Sequence, residues 1–452
     1  MKTLKERWKI VLNIAWPLII ANSFWNIQLT IDRIFLGSYS TESLGAAMAV
    51  MGVFWVPMAL LQQTAAYVTT FVAQYYGASS EEKIGASFWQ SVYVCLIGGI
   101  LFLGLNFLSE DFFRFVGHSE KMQLLESTYF NSLAFSALPT ALVAAISGFF
   151  TGLGKTKVVI WINFVGLLAN VLFDYLLIFG NLGFEAYGIQ GAGYATALAA
   201  YCGAAFGIFL LFKNEYEQRF KIRTSYKFNK QLTKQFLKFG IPSGLQWALE
   251  GLAFTVFLII MGRLPNGEAA LASSSIAVTI MMLSVLPTMG VGQAVLTLVG
   301  QKLGEKRADL AQVYTWDGVK ISAIYISIVA ISFWLIPEFY LSWFKNEENL
   351  VLWSEVSKLV PKLLLIIGVF TLFDSIYLNI SFALKGAGDT KFVSLMALII
   401  PWPIMVLPAF LLMNNKDAVI LSWSFVILYM IILTGILTHR FTQGKWKSMS
   451  VI

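Results

Sequence analysis

The chain has 452 residues, of which 58% are hydrophobic, 15% aromatic and only 13% charged, with a formal net charge of +7. A soluble domain carries roughly 25% charged residues to cover its surface, so this composition excludes one. The mean hydropathy of +0.71 and apolar runs near 20 residues, the length of helices and not of barrel strands, give an all-α polytopic membrane protein.

The opening MKTLKERWKI is basic, but the apolar run behind it continues past Pro17 without a small-residue cleavage site, so a retained first span is expected. Reading apolar runs against charged or Gly/Pro-rich breaks gives twelve spans, at about 10–36, 43–74, 84–107, 126–150, 158–180, 190–212, 237–262, 268–299, 313–336, 355–384, 392–412 and 418–438. Placed with the N-terminus inside, the outer connections hold only Arg33, Arg114, Lys121, Arg263, Lys345 and Lys416. The inner ones hold far more, from Lys2 and Arg7 through the run Lys213–Lys238 to Lys302, Lys306, Lys385, Lys391 and Arg440. That asymmetry puts both termini in the cytoplasm. It also accounts for the net charge without a nucleic-acid partner. Cys95 and Cys202 both fall in apolar segments and read as packing residues.

The basic connection near the midpoint divides the chain into a lobe at 1–212, a cytoplasmic linker at 213–236 lying on the anionic inner leaflet, and a second lobe at 237–452. The lobes echo each other. Gly152-Leu153-Gly154-Lys155-Thr156-Lys157 answers Gly386-Ala387-Gly388-Asp389-Thr390-Lys391, Gln74 with Gly77 answers Gln301 with Gly304, and Pro17 answers Pro242. Six spans per half is even, so both halves enter from the same side as a parallel repeat of two pseudo-symmetric six-helix bundles. Two lobes that can rock about a central site suit a transporter better than an enzyme.

Chemistry is carried by acids within the spans. Asp174 lies about 24 Å into the fifth span, with Asn170 one turn away on the same face, and Asp32 reaches a comparable height at the end of the first. Glu250 and Asp374 fall near mid-depth in the seventh and tenth. An intramembrane carboxylate costs on the order of 3 kcal/mol unless paired or wetted, so two such tiers point to proton or cation handling. Asn170 and Thr196 could add oxygens for Na⁺. Arg33 beside Asp32 could either neutralise it or reach the interface. The acids are not duplicated with the skeleton: loop alignment sets Thr140 opposite Asp374 and Pro408 opposite Asp174, and aligning Pro17 with Pro242 sets Trp25 opposite Glu250. The lobes are therefore expected to do different jobs. With only His118 and His439, both near span ends, no histidine metal site is expected beyond possible Na⁺, and no phosphate loop is present to use ATP. No cofactor is implied other than a coupling ion.

In these residues the chain resembles the prokaryotic multidrug and toxic compound extrusion (MATE) transporters along essentially its whole length. The resemblance rests on Ile31-Asp32-Arg33-Ile34-Phe35-Leu36-Gly37, Asn170 through Gly180, Gly191-Ala192-Gly193-Tyr194-Ala195-Thr196, Pro242 through Glu250, and Asp374 with Lys385 to Thr390. Arg33 departs from the small or polar residue usual there. The resemblance implies a monomeric, multi-pass protein of the cell (inner) membrane exchanging Na⁺ or H⁺ for organic, often cationic, compounds. It implies Asp32, Asn170, Asp174 and Thr196 as a first-lobe ion site, with Glu250 and Asp374 as the second-lobe acids of the NorM-like branch. A lipid-linked oligosaccharide flippase of the same wider superfamily is the alternative; its phosphate cargo would call for a basic cavity, where this chain has acids.

Overall fold

Residues 2–345 and 350–452 are described by the computed structural model, and helices are the regular structure they form. Twelve of these helices are long and apolar enough to cross a bilayer: α1 (Leu4–Tyr39), α2 (Thr41–Gly77), α3 (Glu81–Gly104), α4 (Glu120–Gly152), α5 (Lys157–Leu177), α6 (Gly188–Leu211), α7 (Lys230–Gly262), α8 (Gly267–Gly304), α9 (Ala308–Leu335), α10 (Leu350–Ala387), α11 (Thr390–Leu411) and α12 (Ala418–Thr442). Helix is the solution because lipid offers no partner to a backbone N–H or C=O. Every expected span has its helix. Several helices run past the hydropathy limits: α4 starts at Glu120 instead of 126, α9 at Ala308 instead of 313, and α7 at Lys230 instead of 237. The basic stretch after α6 is structured too, holding a short helix at Asn214–Phe220 and then the first turns of α7.

The residues group into two compact units. The first comprises Pro17–Ala248, Gly300–Arg307 and Ser450–Ile452; the second comprises the segment ending at Trp16, Leu249–Val299 and Ala308–Met449. Membership changes inside helices, in α1 at Pro17, in α7 after Ala248 and in α8 at Gly300.

Within the first unit, α5 and α6 lie side by side, and their contact is close because a Cβ on Gly191 would stand 2.4 Å from the Leu177 carbonyl oxygen. The ends of α2 and α8 meet through the repeated Gln/Gly pairs themselves. A Cβ on Gly77 would lie 1.9 Å from the Gln301 carbonyl oxygen, and one on Gly304 would lie 2.2 Å from that of Gln74. Gln301 Nε2 donates to the Gly152 carbonyl at 2.9 Å, tying the same helix end to the loop after α4. The Asn214–Phe220 helix is seated on α4 by edge-on rings, Phe149 against Phe220 at 5.7 Å and Phe150 against Tyr216 at 5.4 Å. Such ring pairs contribute about 0.5–1.5 kcal/mol each beyond the area they bury. The last residues dock here as well. Val451 is fully buried, its amide and the Ser450 hydroxyl both donate to Gln74 Oε1 at 3.0 and 3.1 Å, and Gln235 Nε2 donates to its carbonyl at 2.7 Å.

Within the second unit, α10 packs between α9 and α12. Asp317 of α9 is buried and paired with Arg7 at 2.6 Å.

The repeated loops after α4 and α10 share their backbone. Gly154 (φ +75°) and Gly388 (φ +104°) occupy matching places in the left-handed region that favours glycine. The residue after each is an ion-pair anchor of opposite sign. Lys155 Nζ meets Glu215 Oε1 at 2.6 Å just beyond α6 and holds that carboxyl below its ordinary range. Asp389 meets Arg440 Nε at 2.7 Å near the end of α12. So one skeleton fastens the loop just beyond the sixth helix in the first half and near the end of the sixth helix in the second, with the charges exchanged. Asp389 is nearly buried, so Asp389→Ala should cost about 1–3 kcal/mol by stranding the Arg440 guanidinium. Thermal unfolding in detergent should show that loss, with partial recovery in Asp389→Arg/Arg440→Asp; no recovery would mean the pair acts through something other than its charges.

Candidate cation site

Asn170 and Asp174 are fully buried one turn apart on α5, and Asp32, 8% exposed near the outer part of α1, brings its carboxyl beside both. Tyr129 of α4, also buried, lies within electrostatic reach of the two acids. Arg33 is exposed and forms no ion pair with Asp32, since neighbours on a helix point about 100° apart. Both side-chain atoms of Asn170, both carboxylate oxygens of Asp174 and Asp32 Oδ1 are buried without a well-formed hydrogen bond, although the three side chains lie within reach of one another. Buried polar groups almost always find partners, so five such atoms on three adjacent side chains mark a place built to hold something. Two carboxylates side by side out of water repel strongly unless a proton or cation lies with them. The donors are oxygens and one amide, and among the described residues no three His, Cys, Asp or Glu side chains gather as a metal cluster. Oxygens of this kind can accept a proton or a hard monovalent ion.

Thr196 makes its hydrogen bond elsewhere. It is half-buried on α6, and its hydroxyl donates to the Ala192 carbonyl of its own helix at 3.0 Å. The other three expected residues come together.

The acids of the second unit also form a pair. Glu250, half-buried on α7, accepts a hydrogen bond from the Tyr377 hydroxyl and faces Asp374 of α10. Tyr429 of α12 is fully packed within reach of both. Lys385 is where the sequence reading is corrected. Expected in an inner connection, it lies instead in the last turn of α10 and is only 2% exposed, with its ammonium 4.4 Å from the Phe382 ring centroid and within electrostatic reach of Glu250.

Two further buried acids escaped the sequence reading. Glu126 is fully buried on α4, with Oε1 2.7 Å from His118 Nδ1, and Asp317 is the partner of Arg7. Each sits at or near the first residue of a span drawn from hydropathy alone. The helices start six and five residues earlier, at Glu120 and Ala308, and so carry these acids inside. For Glu126 the signal available was the capped turn ahead of the apolar run, where the Ser119 hydroxyl accepts from the Met122 amide.

Comparison with known proteins adds independent support for the architecture. The family profile described as MatE matches residues 17–176 and again 242–411, one match per half. A probable multidrug resistance protein NorM of Thermotoga maritima is 26% identical over 448 residues, covering 98% of this chain and 94% of that one. The protein of the same description from Bacillus subtilis is 26% identical over 405 residues, covering 88% and 87%. Among solved structures, the outward-facing conformation of a multidrug resistance MATE family transporter of the MOP superfamily superposes with a TM-score of 0.88 at 19% identity, covering 98% and 97%. A MOP superfamily transporter from Pyrococcus furiosus, described as having a binding pocket of reversed polarity that suggests a different function, superposes at 0.87 with 19% identity and the same coverage. At these identities the structures speak for the fold.

Proposed function

From the premise that this chain belongs to the MatE family, we propose that it is a secondary antiporter exporting organic, cationic compounds in exchange for Na⁺ or H⁺. One observation carries the reading: Asp32, Asn170 and Asp174 present buried oxygens without well-formed hydrogen bonds at a single point. A proton or Na⁺ there would relieve the repulsion between the two carboxylates, so occupancy and the packing of α1, α4 and α5 around them depend on each other. That dependence is what couples an ion gradient to a change of shape. The relatives named for multidrug resistance favour drug-like cargo. The fold alone does not choose the cargo's charge, because a transporter described by reversed pocket polarity shares it. The acidic Glu250 and Asp374 of the second unit support a cationic cargo.

Vesicles containing the purified protein, loaded with a fluorescent organic cation and given either a Na⁺ or a pH gradient, test the proposal. Export is expected under at least one gradient. If no organic cation moves under either, the antiporter reading fails.

A further inference from the structure

A lysine enclosed by protein inside an apolar helix bundle is costly, and intramembrane charges of this kind are retained for function. Lys385 is such a residue. Being 2% exposed, it does not reach water along its stem as a snorkelling lysine would. It lies eleven residues after Asp374 on α10, about three turns, so the two share a face. Tyr377 lies between them and donates its hydroxyl to Glu250. Side chains on a helix lean toward its N-terminus, which turns the Lys385 ammonium back along this face toward Tyr377 and Glu250. Phe382, one turn earlier, supplies a ring face to the ammonium at 4.4 Å. The interior of this unit thus gathers two carboxylates and one tethered cation.

Resting on the antiporter reading, we propose that Lys385 is a selectivity-determining residue. Its ammonium shares Glu250 with the transported cation, so the acids of the second unit present one net negative charge and favour singly charged organic cations over doubly charged ones. A doubly charged cargo would have to enter beside a fixed positive charge, and like charges held close in a low-dielectric site are the usual means by which a wrong ligand is refused. A singly charged cation matches the remaining charge.

Equilibrium binding to the purified full-length protein in detergent tests this, with tetraphenylphosphonium as the single charge and propidium as the double. The wild type should bind the first more tightly. Lys385→Met should move the ratio of the two affinities at least about tenfold toward the double charge, and Lys385→Arg should keep the wild-type ratio; Lys385→Gln gives the same readout as Met if the latter does not fold. In a Glu250→Gln background, Lys385→Met should move the ratio by less than it does in the wild type, because the part of the effect that runs through the shared carboxylate is gone, a dependence that a merely structural lysine would not produce. An unaltered ratio in Lys385→Met, or a shift that survives in full without Glu250, overturns the assignment while leaving the antiporter reading in place. Failure of the wild type to bind either probe overturns both.

Discussion

Asp174→Asn is expected to abolish gradient-driven export, by at least about tenfold, while the protein folds as before. Asparagine keeps the shape of aspartate and removes its capacity for charge and for an exchangeable proton. Little structural is lost, because the neighbour of this carboxyl is Asp32, which an asparagine amide at the same place can reach as well. What disappears is one of two charges that would hold a cation, and interactions with a charged group of this kind contribute about 1.5–3 kcal/mol, or ten- to a hundredfold in occupancy. Melting in detergent should be unchanged or slightly higher, since a buried carboxylate has been neutralised. Full coupled export by the variant under both gradients would show that Asp174 is a structural residue.

The second large effect is expected at Gly77. Its absent Cβ leaves room for the Gln301 carbonyl, which would otherwise stand 1.9 Å away, and the obstacle is backbone that no rotamer change can move. Gly77→Val should therefore separate the ends of α2 and α8 and break the Gln301–Gly152 hydrogen bond. Overpacking of this kind costs about 1–3 kcal/mol or more. Melting should fall and export should drop more than tenfold. Gly435→Ala in α12 is the control, because no atom lies within 4 Å of its would-be Cβ; there the change should be neutral or slightly stabilising. Equal melting of the two variants would mean that the α2–α8 contact carries no strain.

Most of the architecture was legible from the run lengths and from where the basic residues fall, because lipid enforces both rules on any helical chain. The pairing of Asp32 with Asp174, and of Glu250 with Asp374, followed from counting rises along helices. Hydropathy was blind where helices continue through polar residues that neighbours satisfy. Glu126 and Asp317 fall at span boundaries for that reason, and Lys385, which run length places in a connection, is an enclosed charge. Thr196 is a different case. A hydroxyl on a helix can return its proton to the carbonyl one turn back, and sequence gives no sign of which choice it makes. Nor could the chain order show that α1, α7 and α8 each divide their residues between two units, since a proline marks a kink but not what packs on either side of it.

The seat of Val451 on Gln74 sets a rule for how this region can change in evolution. Gln74 and Gln235 bond the amide and carbonyl of Val451, and main-chain groups are the same for every residue except proline. Substitutions in the tail should then be tolerated as long as a small apolar side chain fills the space at Val451. Proline at Val451 should not be, because it has no amide N–H to give the Gln74 carboxamide oxygen. What is inherited there is a main-chain fit, around which side chains can vary.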